Sequence, residues 1–185
     1  MIYPIVAYGS PLLKTRAKEI EKGSIDVAEI SRDMFETMYN AQGVGLAAPQ
    51  IGLGIRIFVV DAQPMEEEKN AEPFKKVFIN PVKLDEKGDE WSFEEGCLSI
   101  PGIREVIVRN AQIRLKYFDE NWVERDETFN GIRARIIQHE YDHLEGILFT
   151  DKLTPFRKRL LKTKLNNIIK GNVQVDYRMK FTGKK

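Results

Sequence analysis

Gln138-His139-Glu140-Tyr141-Asp142-His143-Leu144-Glu145-Gly146 holds both histidines of this 185-residue chain. On an α-helix, residues four apart lie one above the other on the same face, so the two imidazoles can reach one metal ion. Glu140 is rotated about 100° from His139, too far round to join the rings as a ligand, yet near enough to reach a water on that ion. The surroundings read as helix too. Ile132, Ile136, Ile137, Tyr141 and Leu144 recur at helical spacing and predict a core-facing side. Gly146 suits the left-handed position after a helix end, and Asn130 is the expected N-cap.

This is the His-Glu-x-x-His arrangement of metal-dependent hydrolases, in which the glutamate is general base. The plain alternative, two exposed histidines beside a solvated acid, sits poorly with the apolar face. Cys97, the single cysteine, lies in Glu95-Gly96-Cys97-Leu98-Ser99 and is the natural third ligand. A structural zinc site is normally closed by four N/S ligands. Here only three exist, which leaves the fourth position to water, as a catalytic site needs. Read alone, Cys97 is equally a buried inert thiol. A further stretch, Gly43-Val44-Gly45-Leu46-Ala47-Ala48-Pro49-Gln50-Ile51-Gly52, follows a predicted helix, so it is no dinucleotide loop. Its glycines let backbone approach a ligand, and the Gln50 amide suits a developing oxyanion. The bland reading is a small-residue turn with a surface glutamine.

Length suits one domain over 1–185. No apolar run reaches the roughly 18 residues of a membrane span. The N-terminus lacks a basic region and a cleavage site, and one cysteine permits no internal disulfide. Together these lead to the expectation of a cytoplasmic protein that meets neither membrane nor DNA. A net charge of +1 hides an uneven spread: residues 152–185 carry eleven Lys/Arg and one acid, Asp176.

Ser24 precedes a helical pattern through Val27, Ile30, Met34 and Met38, placed at about 25–41, with the methionines as core filler. Residues 55–61 read as a strand. Ala62–Pro73 reads as an exposed loop without chemistry. Residues 77–82 read as a second strand, at an edge because of Pro81, and Lys87-Gly88-Asp89 as a turn. Residues 105–109, 111–118 and 122–129 predict three antiparallel strands, with a hairpin loop at Asp119-Glu120-Asn121. After the histidine helix, Thr154 caps a helix with Pro155 first; its apolar side is Phe156, Leu160, Leu161, Leu165 and Ile168. Val173, Val175 and Tyr177 then alternate, as a short strand or an extended tail.

Three motifs now stand in order: Gly43-Val-Gly-Leu-Ala-Ala-Pro-Gln50, Glu95-Gly-Cys-Leu-Ser99 and Gln138-His-Glu-Tyr-Asp-His-Leu-Glu-Gly146. Together they resemble the signature motifs of bacterial peptide deformylase, from about residue 4 to the C-terminal helix. The resemblance implies an α+β fold, with mixed and antiparallel strands around a central metal-binding helix and a C-terminal helix. It implies removal of the formyl group from formyl-methionyl nascent chains. By that likeness Cys97, His139 and His143 hold the metal, and Glu140 is the acid/base. Gln50 and the Leu98 N–H form the oxyanion hole, and Glu95 and Gln138 support the ligands. Glu95 is expected to pair with Arg109.

The donor set alone suggests zinc. The resemblance implies Fe²⁺ in the cell, with Zn²⁺, Ni²⁺ or Co²⁺ substituting. Backbone around Val44-Gly45 and Gly96 is placed to pair with an extended peptide, and Val44 and Ile136 to wall a methionine pocket. Arg135 stands where family members often carry an apolar residue, which bears on how closed that pocket is. Two other classes compete. A zinc endopeptidase needs a downstream third ligand, and with no further histidine that falls to Glu145 or another acid. A metal-stabilised binding module needs no Glu140. The basic segment 152–185 reads either as a solvated helix face or as a dock for ribosomal RNA.

Overall fold

The computed structural model describes residues 1–66 and 72–182. β1 (Ile5–Val6) leads into a 3₁₀ turn at Pro11–Lys14 and then α1 (Val27–Asn40). β2 (Gly45–Ala47), β3 (Ile57–Asp61), β4 (Lys75–Cys97), β5 (Ile100–Phe118) and β6 (Glu124–Asn130) follow. They form one antiparallel sheet in that order. Next come α2 (Gly131–Leu144), α3 (Pro155–Ile169) and β7 (Met179–Lys180). β7 pairs in parallel with β1. The α+β class expected from the motifs is the one found.

Local chemistry sets the element ends. α1 starts at Val27 because Asp26, rather than Ser24, supplies the cap: its carboxylate accepts the Glu29 N–H at 2.9 Å. Thr154 caps α3 as expected, accepting the Arg157 N–H at 3.3 Å, with Pro155 first. Asn130 precedes α2 but makes no side-chain cap.

The strands depart from the sequence reading at three places. Pro81 predicts an edge, yet β4 lies between β3 and β5. The register shifts between Ile79 and Val82, and Asn80 has φ 47°. This bulge is where a residue without an N–H costs no ladder bond. Lys87-Gly88-Asp89 is a further bulge inside β4, not a turn, with Gly88 at φ 84°. The segments 105–109 and 111–118 are one continuous strand, β5, so the expected three strands are two. β4 and β5 therefore make one long bent hairpin, closed by the two-residue turn Leu98-Ser99.

α2 packs Ala134, Ile137, Tyr141 and Leu144 onto sheet residues Phe58, Phe78, Leu115 and Phe129. Phe58 stacks on Phe78 with centroids 4.5 Å apart, a pair contributing about 0.5–1.5 kcal/mol beyond its buried area. α1 buries Met34 and Met38 against Leu46, Val59 and Ile79, so these methionines are core filler. α3 buries Leu161, Leu165 and Ile168, but Phe156 and Leu160 of its expected apolar side face solvent. Ala62–Pro73 is not a plain exposed loop. Ala62 is fully buried, and Glu66 forms an ion pair with Arg133; residues 67–71 lie outside the described part. Among the described residues, no helix is long and apolar enough to cross a membrane.

Candidate metal and active site

α2 is buried almost all round, although it carries Arg135, Gln138, Glu140, Asp142 and His143. Polar groups taken from water need partners inside the protein, and here the partners form a network. Arg109 donates to both oxygens of Glu95, at 2.7 and 2.9 Å, and to Asp142 at 2.7 Å. Arg135 donates to Glu95 Oε1 at 3.0 Å. Glu95 Oε2 lies 2.9 Å from His139 Nδ1. Burial pushes the Glu95 carboxyl up, but the bonds from Arg109 and His139 outweigh it and hold it well below the usual carboxylate range. An ionised carboxylate only accepts, so Nδ1 carries a hydrogen and His139 Nε2 is the nitrogen left for a metal. Burial lowers the His139 pKa, but Cys97 and Glu95 outweigh it and raise it well above its ordinary value, so an ion that binds at Nε2 displaces a proton. The expected Glu95–Arg109 pair is present; Arg135 and Asp142 are members the sequence reading did not supply.

Cys97 is the last residue of β4, and its Sγ lies 3.3 Å from His143 Nε2. One ligand atom each from Cys97, His139 and His143 all fall within 4.8 Å of one another. Metal–ligand bonds of about 2.0–2.3 Å at tetrahedral angles put donors roughly 3.3–3.8 Å apart. The cluster needs only a small contraction to close on an ion. Burial lowers the His143 pKa well below its ordinary value, which keeps the ring neutral and able to ligate. The residues present thus fit a divalent metal. Glu145 is not among them: it pairs with Arg16 at 3.0 Å and Arg56 at 2.7 Å.

Glu140 is buried beside this cluster, and its Oε2 has no partner among the described residues. Burial pushes its carboxyl up to about 7. Gly45 makes room for it, since a Cβ there would sit 2.8 Å from Glu140 Cδ and Cγ. Gln50 is held by its own loop: Oε1 accepts the Ala47 N–H at 2.9 Å. That turns Nε2 toward Ser99 Oγ at 3.3 Å and Cys97 Sγ at 3.4 Å.

These groups border a cavity of about 600 Å³. Val44, Gly45, Gly96 and Ile136 line it, with Gln50, Leu98, His139 and Glu140. Met65, from the segment read as featureless, lines it too. Arg135 does not open the pocket. It is 2% exposed, stacks 4.4 Å over the Trp91 ring and donates to Trp91 O at 2.7 Å, so the guanidinium seals that side. Gln138 points elsewhere: its Nε2 donates to Asn110 O at 3.1 Å and ties α2 to β5 rather than to a ligand side chain.

A polypeptide deformylase family model matches residues 2–159. The chain belongs to the polypeptide deformylase family. It is 60% identical to a peptide deformylase of Cytophaga hutchinsonii over 185 residues, covering all of both chains. It is 54% identical to one of Flavobacterium psychrophilum, again over all of both. Among solved structures, a peptide deformylase from Legionella pneumophila superposes with a TM-score of 0.80 at 35% identity, over 93% of this chain and 98% of that one. One from Plasmodium falciparum gives 0.81 at 35% identity, over 90% and 95%. The protein is therefore an enzyme of a family that deformylates nascent peptides. One part of this deformylase's cavity was missed in the sequence: Gln174, Val175, Asp176 and Tyr177, beyond α3, form part of the wall. The only signal was the alternation of Val173, Val175 and Tyr177.

Proposed function

We propose that this single-domain enzyme hydrolyses the N-terminal formamide of formyl-methionyl chains, with Cys97, His139 and His143 holding a catalytic divalent metal. What carries the reading is Glu140: a buried carboxyl with an unpartnered oxygen, beside three metal-competent side chains and bordering a peptide-sized cavity. Bound there, the metal supplies Lewis acidity, lowering the pKa of a water toward roughly 7 and polarising the formyl oxygen.

This chain's own groups do the rest. Val44, Gly45, Gly96 and Ile136 seat an extended peptide, with the methionine side chain in the apolar part of the cavity. Glu140 accepts a proton from the attacking water as the new C–O bond forms. Gln50 Nε2 and the Leu98 N–H donate to the oxyanion. Glu140 then returns the proton to the amine as the C–N bond breaks, giving formate and a free methionine amine. Glu95 holds His139 in its ligating tautomer. The Gln138 amide supports this arrangement only by fixing α2 on β5.

We assign Fe²⁺ as the metal used in the cell, with Zn²⁺, Ni²⁺ or Co²⁺ able to substitute. A ferrous ion beside a thiolate is oxygen-sensitive, since Cys97 can climb the sulfenic-to-sulfonic ladder. Anaerobically prepared enzyme with one iron per chain is expected to release formate from formyl-Met peptides faster than the zinc-only form. Equal rates overturn the preference for iron, and no formate from either form overturns the reaction.

The basic segment 152–185 is assigned to docking on ribosomal RNA in the cytoplasm, where nascent chains emerge. Arg159, Lys162 and Lys164 are exposed and make no ion pair among the described residues, and Phe156 and Leu160 stand open beside them. Cosedimentation with ribosomes is expected to fall steeply as salt rises. Binding that survives charge reversal at Arg159, Lys162 and Lys164 removes this assignment.

A further inference from the structure

The turn Cys97-Leu98-Ser99 carries two groups the proposed reaction uses, the Cys97 thiolate and the Leu98 N–H. Cys97 pairs with Ile100 across the turn, which closes the hairpin but leaves the carbonyls of Leu98 and Ser99 to find partners elsewhere. Here its carbonyls are tied down from both ends of the chain. The Tyr8 N–H donates to Ser99 O at 2.8 Å. The Tyr177 hydroxyl donates to Leu98 O, also at 2.8 Å, across 79 residues of sequence.

Tyr177 does not reach Leu98 by chance of a loose tail. The chain that follows it runs through Arg178 into β7, which is registered against β1: Ile5 pairs with Met179 and Val6 with Lys180, the Ile5 N–H donates to Arg178 O at 2.8 Å, and the Ala7 N–H to Lys180 O at 2.9 Å. The Tyr177 ring packs, half-buried, in the same apolar cluster as Leu98. Gln174, Val175 and Asp176, just before it, border the cavity. The same short segment therefore touches both the turn and the space where substrate lies.

We propose that Tyr177 is a positioning residue for the oxyanion-binding turn, fixing the Leu98 backbone through its carbonyl, and that Gln174–Asp176 form a wall of the peptide groove. This deepens the deformylase reading and rests on it. The hydrogen bond holds the Leu98–Ser99 peptide plane. The Leu98 N–H belongs to the preceding Cys97–Leu98 plane, which can turn against it only about φ and ψ of Leu98, so holding one plane narrows the directions open to the other. An oxyanion donor counts only when it is aimed at the place the charge develops. A purely structural strap, by contrast, would contribute to stability and leave the rate alone.

The test is Tyr177→Phe, which keeps the ring and the β1–β7 backbone pairing and removes only the hydroxyl. In wild-type enzyme and variant, loaded with the same metal, kcat for a formyl-Met tripeptide is expected to fall about tenfold, with KM within about twofold. In ¹⁵N-labelled zinc-loaded protein without substrate, the Leu98 amide resonance is expected to shift and its hydrogen exchange to quicken. Deleting 174–185 should lower kcat at least as far and also raise KM, because the wall goes with the hydroxyl. A variant with wild-type kcat and an unmoved Leu98 amide overturns the proposal. So does a loss confined to melting temperature. If the wild-type protein itself releases no formate, the deformylase reading fails, while the Leu98 amide still reports whether Tyr177 sets the turn.

Discussion

Glu140→Gln is expected to lower kcat for formyl-Met peptides by about 10²–10⁴-fold while leaving metal content and KM nearly unchanged. The carboxamide has almost the shape of the carboxylate, so the fit against Gly45 survives. It cannot accept the water's proton at any working pH, so the loss falls on the chemical step. Nor should the fold suffer. Glu140 is 4% exposed, and one oxygen has no partner, so a neutral amide removes the cost of burying a charge. A melting temperature equal to or above that of the wild type is the matching result. The comparison also separates an enzyme from a metal-stabilised binding module, which would bind peptide with or without an acid at this position. Turnover within about threefold of wild type would falsify the assignment of Glu140 as proton carrier.

What the sequence could and could not reveal follows from how local each feature is. The two histidines and Glu140 were legible because their relative placement depends only on helical geometry, and α2 is where the apolar spacing put it. Cys97 was legible by elimination in a chain with one cysteine and two histidines. The Glu95–Arg109 pair is present, but it was an expectation that no local pattern in the sequence could establish, because the two residues meet only across the hairpin. Arg135, in contrast, looked like a polar intruder in a pocket wall. Its burial makes sense only once Trp91, Glu95 and the Ile107 carbonyl are seen converging from the hairpin. Pro81 misled for a related reason. A proline rules out a ladder bond at its own position, but not a bulge, and whether a bulge exists is decided by the neighbouring strands. The Tyr177 contact was the least legible of all. It depends on a parallel pairing of two two-residue strands from opposite ends of the chain, too short to leave a periodic trace.

Removal of the sulfur gives the other large effect. Cys97→Ala is expected to lower metal content from about one per chain to near zero after dialysis, and to abolish formate release with it. Changing a residue that merely supports a ligand typically costs 10–100-fold in metal affinity, so losing a ligand outright should cost more. The two imidazoles alone leave the ion half held, and no substitute is at hand. Glu145, the acid an endopeptidase-like site would recruit from downstream, is locked between Arg16 and Arg56. Glu95 is committed to Arg109, Arg135 and His139. Freeing either would leave buried guanidinium charge unpaired, at a cost of several kcal/mol. The variant should nonetheless fold, because Cys97 contributes one half-buried side chain at the rim of an apolar cluster. Folded protein without metal is thus the expected outcome. Retained metal together with retained hydrolysis would mean that a carboxylate has taken the third place, and the thiolate-based site would have to be abandoned.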